Sequence, residues 1–177
     1  VHAQAHGDHA GGGSDEYHGI RQSAGILRRR LGENVPLVAR EYGERFELGR
    51  TQVSLHSAGH VLGSAQVRVE VDGETWVVTG DFKRAPDPTC APFEPVRCDT
   101  LISEATFALP CYAWPATHEV VADIYRWWQA NRAAGNASVL FCYALGKAQR
   151  VLAELMAFTS VPVYAHGAVV ALVEAYR

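Results

Sequence analysis

The sequence predicts an α/β protein. Up to about Asp99, short runs alternate apolar and polar residues between turn formers, the period-two pattern of half-buried strands. From about Thr100 on, apolar strand-like runs alternate with amphipathic helix-like runs, which suggests a parallel layer with crossover helices. The hydrophobic fraction of 48% and the charged fraction of 20% are those of a globular chain, and 177 residues suffice for a real core.

The elements follow in order. Gly11-Gly12-Gly13-Ser14 is a flexible loop, and Ser14 or Asp15 caps a helix expected over 16–31, which Gly32 stops. A short strand is expected over 36–39, then strands over 46–49 and 51–57 around a turn. Residues 66–71 alternate as a half-buried strand, Asp72-Gly73 is a hairpin signal, and 75–79 return. Asp81 then sits just past a strand end. Residues 86–95 hold four of the eight prolines, so they form an ordered loop with little regular structure. A strand over 100–103 ends at Glu104. Beyond it come an amphipathic helix over 117–132 carrying Trp127 and Trp128, a strand over 138–143, a helix over 146–158, a strand over 161–164 and a final helix. The chain shows no internal repeat and no low-complexity tract.

Composition narrows the function classes. No apolar run is long enough to span a bilayer, and no signal peptide precedes the first motif. Cys90, Cys98, Cys111 and Cys142 form no CxxC pair, which fits reduced thiols in a cytoplasmic protein better than a disulfide framework or a zinc knuckle. The net charge of −3 argues weakly against a nucleic-acid binder, but two bound divalent cations would reverse its sign, so charge does not decide the question. Val1 is not a methionine, a candidate metal loop begins almost at once, and 168–177 read as a helix with no stop signal. The expectation is a fragment cut at both ends from a longer chain.

The chemistry concentrates in three places. The chain opens Gln4-Ala5-His6-Gly7-Asp8-His9, continues through Gly59-His60-Val61-Leu62-Gly63-Ser64, and then reads Thr79-Gly80-Asp81-Phe82. Imidazole and carboxylate are donors suited to zinc, manganese or iron, and Gly7 lets the loop turn tightly around an ion. His60 alone reads as a core-edge histidine, and Asp81 alone as a turn former. Their order and their expected strand-end positions raise them, with His6, Asp8 and His9, to a ligand set for a pair of divalent metals. A carboxylate at Asp81 would bridge ions about 3.5–4 Å apart, the spacing of two-metal hydrolases. Lys83 and Arg84 follow Asp81 and are candidate phosphate contacts, as is Lys147 at a helix start, where free N–H groups favour anions. A solvated lysine is an equally good reading of each. Tyr112 and Trp114 are candidates for base stacking.

The order QAHGDH, GHVLGSAQ, TGDF and EATF resembles the metallo-β-lactamase superfamily and, within it, the β-CASP nucleic-acid nucleases. The run from Gly80 to Pro110, with YALGKAQR, is most similar to the bacterial ligase-associated DNA exonucleases, also described as mRNA 3′-end processing factor-like. The resemblance covers nearly the whole chain. It implies an αββα sandwich over 1–110, with part of an inserted β-CASP domain over 111–177. It implies two divalent ions, zinc or alternatively manganese. His6 and His60 would bind the first, Asp8 and His9 the second, and Asp81 both. Asp8, Asp81 and Glu104 would be catalytic, with Glu104 opening the first acidic motif of the insertion, and Thr106 of the same motif would join Lys83 and Lys147 in substrate binding. Nucleic acid, DNA ahead of RNA, is the implied partner, with DNA ligase and helicase as protein partners. Gln4 departs from the family's HxHxDH pattern, standing where its first histidine belongs, and His166 follows the YALGKAQR helix too soon to match the later family histidines. The implied activity is metal-dependent phosphodiester hydrolysis in DNA repair. RNA 3′-end processing, a degenerate β-CASP protein that binds without cutting, and a thioester or lactam hydrolase on the same sandwich are the alternatives.

Overall fold

A computed structural model describes residues 16–177. The chain divides into two compact units, one ending at Glu104 and one beginning at Ala105. It is an α/β protein.

Among the described residues, the first unit holds two sheets. Strand β1 (Tyr17–Ile20) pairs in parallel with β2 (Leu37–Arg40), Tyr17 opposite Leu37, and helix α1 (Ala24–Leu31) connects them. The helix expected over 16–31 is therefore corrected to a strand, a 3-10 turn (Arg21–Ser23) and a shorter helix. Pairing with β2 and burial of Ile20 override the local helical pattern, which lives on only from Ala24. Gly32 does end α1, at φ 111°, its N–H donating to the Arg28 carbonyl at 2.8 Å.

The second sheet has five strands in the order β3 (Arg45–Leu48), β4 (Thr51–Ser57), β5 (Ala65–Val71), β6 (Glu74–Val78) and β7 (Thr100–Ile102). The first four form an antiparallel meander. The turn between β5 and β6 is the expected two-residue hairpin, with Asp72 at φ 48° and Gly73 at φ 87°. Strand β7 joins β6 in parallel, Val78 opposite Ile102. One core unites the sheets: Ile20 of β1 packs with Phe46, Val53, Leu55 and Val67 of β3 to β5. At its margin His18 stacks on Phe46 with ring centroids 4.5 Å apart, and Arg40 lies over the same ring.

The second unit is helical: α2 (Thr117–Ala133), α3 (Lys147–Leu155) and α4 (Gly167–Val173), with a 3-10 turn at Glu174–Tyr176. Val121, Ala148 and Leu155 are buried, and Tyr125 packs on Trp128 and Phe158. The strands expected over 138–143 and 161–164 are not formed. A strand is stable only in a ladder, and no ladder partner for either run exists among the described residues. Phe141 and Tyr164 consequently stand 92% and 98% exposed. No helix among the described residues is long and apolar enough to cross a membrane.

Candidate metal centre

His60 and Asp81 approach each other although they belong to different loops. Nε2 of the imidazole lies 3.9 Å from Oδ2 of the carboxylate. The first loop links β4 to β5, and the second follows β6. Both are held by main-chain geometry. Gly59 has φ 67°, and a Cβ there would meet the Lys83 carbonyl and stand 2.8 Å from the Phe93 nitrogen. Gly63 has φ 72°, and a Cβ there would strike the Ser23 side chain. Glycine is required at both positions by backbone conformation and by close approach together.

Hydrogen bonds complete the cradle around His60. The Ser64 hydroxyl accepts from the N–H groups of His60 and Val61 at 3.0 and 3.1 Å. Ala58 N–H donates to the Ser64 carbonyl at 3.1 Å, and the Tyr42 hydroxyl donates to that same carbonyl at 3.0 Å. Burial pushes the Tyr42 phenol up to about 12 against a hydrogen bond with Ser57 that lowers it. Below the loop, the buried Gln66 amide donates to the carbonyls of Ser57 at 2.9 Å and Glu94 at 2.6 Å. Gln66 thus ties the end of β4 to the proline-rich loop, which the sequence leaves without an anchor.

Asp81 is aimed by the sheet. Thr79 N–H donates to the Ile102 carbonyl at 3.0 Å, and Gly80 turns the chain with φ 58°. Glu104 leaves β7 at the same sheet end at which Asp81 leaves β6, because the two strands run parallel and in register. Parallel strands gather the side chains that follow them at one edge, a common place for a site.

The remaining candidates fare differently. Lys83 is committed to Asp87 through an ion pair, and Asp87 also accepts from the Thr89 hydroxyl at 2.6 Å and the Thr89 N–H at 2.9 Å. Burial pushes the Asp87 carboxyl up, but the bonds from Lys83 and Thr89 outweigh it and hold it below the usual aspartate value. At the start of α3, Gln149 Oε1 accepts from Gly146 N–H at 2.7 Å, while the N–H groups of Lys147 and Ala148 donate to the carbonyls of Leu145 and Tyr143. Those amides are spent internally, so an anion there would meet the exposed Lys147 ammonium, which lies 5.5 Å over the Tyr143 ring. Thr106 is exposed in the turn that Ala108 N–H closes onto the Ala105 carbonyl. His6, Asp8 and His9, with Gln4, lie outside the described residues. Among the described residues, no group of three or more His, Cys, Asp or Glu is gathered to hold a metal ion. His60 and Asp81 are a pair of donors of the right chemistry.

A polar chain not foreseen from the sequence links β4 to the proline-rich loop. His56 Nδ1 lies 2.8 Å from Glu94 Oε1, and its Nε2 lies 3.0 Å from the buried Ser54 hydroxyl. The spacing of Ser54 and His56, two apart on one strand, puts them on one face, but Glu94 lies far along the chain.

No family model matches the chain. It is 34% identical over 156 residues to a protein of Opitutus terrae named "Probable DNA ligase", a match covering 86% of this chain and 15% of that protein. It is 27% identical over 137 residues to an "RNase J-like protein" of Methanocaldococcus jannaschii, covering 73% of this chain and 32% of the relative. It is 30% identical over 115 residues to "Cleavage and polyadenylation specificity factor subunit 3" of Dictyostelium discoideum, covering 63% and 14% respectively. The chain thus spans less than a third of the length of these relatives. With its motif order and its mixed α/β architecture, the chain belongs to the β-CASP nuclease group of the metallo-β-lactamase superfamily.

Proposed function

We propose that the protein carrying this chain is a metal-dependent phosphodiester hydrolase acting on nucleic acid, with a DNA exonuclease of repair as the first reading. The approach of His60 to Asp81, two motif residues from separate loops, is the observation that carries the proposal. Imidazole and carboxylate are donors that zinc and manganese accept, so the chemistry of the pair fits a divalent ion. His60 and Asp81, with His6, Asp8 and His9 from the first motif, would hold two such ions. The ions would supply Lewis-acid polarisation of the phosphodiester and activation of water.

The chain's own residues do the rest. The Gly59–Ser64 loop holds the His60 main chain, and the Thr79–Ile102 hydrogen bond fixes the direction in which Asp81 leaves the sheet. Such preorganisation removes the cost of ordering the groups during the reaction. Glu104, at the same sheet end, is proposed to support protonation of the leaving oxygen. Thr106, Lys83 and Lys147 are proposed to contact substrate; for Lys83 this would be added to its bond with Asp87. The residues before and after the junction near 110 are proposed as parts of the catalytic sandwich and of the β-CASP insertion, and the protein is proposed to work in the cytoplasm.

RNA 3′-end processing is the second reading, favoured by the names of the Methanocaldococcus and Dictyostelium relatives. The test is digestion of end-labelled single-stranded DNA and RNA of one sequence by the full protein, with zinc or manganese supplied. Release of mononucleotides from DNA supports the first reading, and preferential cleavage of RNA supports the second. Binding without cleavage of either would leave a non-catalytic nucleic-acid-binding protein, the outcome that Gln4 in the first motif makes worth testing.

A further inference from the structure

Three aromatic rings stand together just after Glu104, in a segment that contributes nothing to the core. Phe107 meets Tyr112 and Trp114 edge to face, with centroids 5.1 Å away in each case. The three are 56%, 47% and 70% exposed. Two successive turns, Ala108 N–H onto Ala105 and Tyr112 N–H onto Leu109, shape the segment, and Pro110 and Pro115 stiffen it. No charged residue occurs from Ala105 to Ala116. Rings that pack on one another while keeping much of their surface in water are already ordered, so a ligand stacking on them meets little further conformational cost. The lack of a carboxylate means that a phosphate backbone passing over them meets no repulsion from this segment.

We propose that Phe107, Tyr112 and Trp114 form a base-stacking platform for single-stranded nucleic acid. The inference deepens the nuclease reading and rests on it: bases held here would lie on a segment that begins directly after Glu104. A duplex hides its base faces inside the helix, so the platform selects unpaired strands, and stacking is indifferent to sequence because every base has a π face. The chemistry is shared by DNA and RNA.

The experiment measures binding by the full protein with metal chelated, so that nothing is cut, using fluorescence anisotropy of a labelled thymidine 12-mer. A uridine 12-mer, a thymidine duplex with adenine and an abasic 12-mer are the comparison ligands. The abasic strand keeps the phosphates and loses the bases. Trp114→Ala and Tyr112→Ala are each expected to weaken the single strands about tenfold or more and to leave the abasic strand unchanged. Trp114→Phe should retain most of the affinity. Equal loss of the thymidine and abasic strands, or no loss of either, overturns the platform. A preference for the uridine 12-mer over the thymidine 12-mer, both lost in Trp114→Ala, supports it with RNA as its ligand. Hydrolysis of bis(p-nitrophenyl) phosphate by metal-loaded protein reads the chemistry alone. Activity there without base-dependent binding sinks the platform and spares the nuclease reading; base-dependent binding without activity does the reverse.

Discussion

Nε2 of His60 stands 3.9 Å from Oδ2 of Asp81, with the two side chains 38% and 29% exposed. The groups are close enough to share a small ligand and open enough for one to enter. Asp81→Ala is therefore expected to lower nuclease turnover of the full protein by about a hundredfold or more, since misplacing reacting groups costs on that order. Circular dichroism and the melting temperature should stay near wild type, because Asp81 lies beyond the ladder. Near-normal turnover with unchanged metal content would remove Asp81 from the proposed site.

Gly59→Ala is expected to destabilise the first unit by about 3 kcal/mol or more. It adds the cost of a left-handed backbone for a residue with a Cβ to a collision with the main chain of Lys83 and Phe93. Gly25→Ala should do the opposite. It lies in α1 with nothing within 4 Å of the new Cβ, so alanine should stabilise by about 0.5–1 kcal/mol. Urea midpoints of the two variants check both signs at once.

Tyr42 offers an alkaline signature. Its phenol is raised by burial from the ordinary value of 10.0 to about 12, so the neutral form is favoured in the folded state. That contribution to stability is complete below pH 10 and is lost as pH rises through about 12. Ultraviolet titration should show a tyrosine step near pH 12. Tyr42→Phe should abolish that late step and cost about 1 kcal/mol at neutral pH through the lost bond to Ser64. A late step that persists in the variant would assign it to another tyrosine.

Asp87 offers an acid signature of opposite sign. Its folded carboxyl lies below the ordinary 3.8, so its contribution is present above that value and disappears as pH falls below it. Asp87→Asn is expected to cost about 1–3 kcal/mol at pH 7, because Lys83 loses its charged partner and the Thr89 bonds weaken. The difference from wild type should shrink toward zero in acid. A pH-independent difference would mean that the amide fails for steric reasons.

What the sequence made legible depended on how local the cause was. The hairpin at Asp72-Gly73 was readable because both residues adopt the positive φ that their types favour. So was the end of α1 at Gly32. The strand over 17–20 is not legible in the sequence because it exists through β2, and nothing within the four residues announces that partner. Phe141 and Tyr164 carried the opposite error, since their apolar runs imply ladders that have no partner among the described residues. At the candidate centre, the motif letters identified His60 and Asp81 as residues that belong together. They did not reveal that Ser23 sits against Gly63, that Phe93 sits against Gly59, or that Lys83 is bound to Asp87. Those partners come from distant stretches, and one sequence holds no record of such proximity.

The parallel pairing of β7 with β6 has a kinetic consequence. Strands β3 to β6 each lie beside their neighbour in sequence, so they can zip up through short hairpins. Strand β7 must wait until the whole excursion from Thr79 to Asp99 has closed, and the entropy of that closure is met before any ladder bond repays it. Glu104 is therefore the last of the described candidate residues in the first unit to be delivered. A refolding experiment with a fluorophore placed at Leu101 of β7, opposite Val77 in the register, should record a later phase than one that follows the meander.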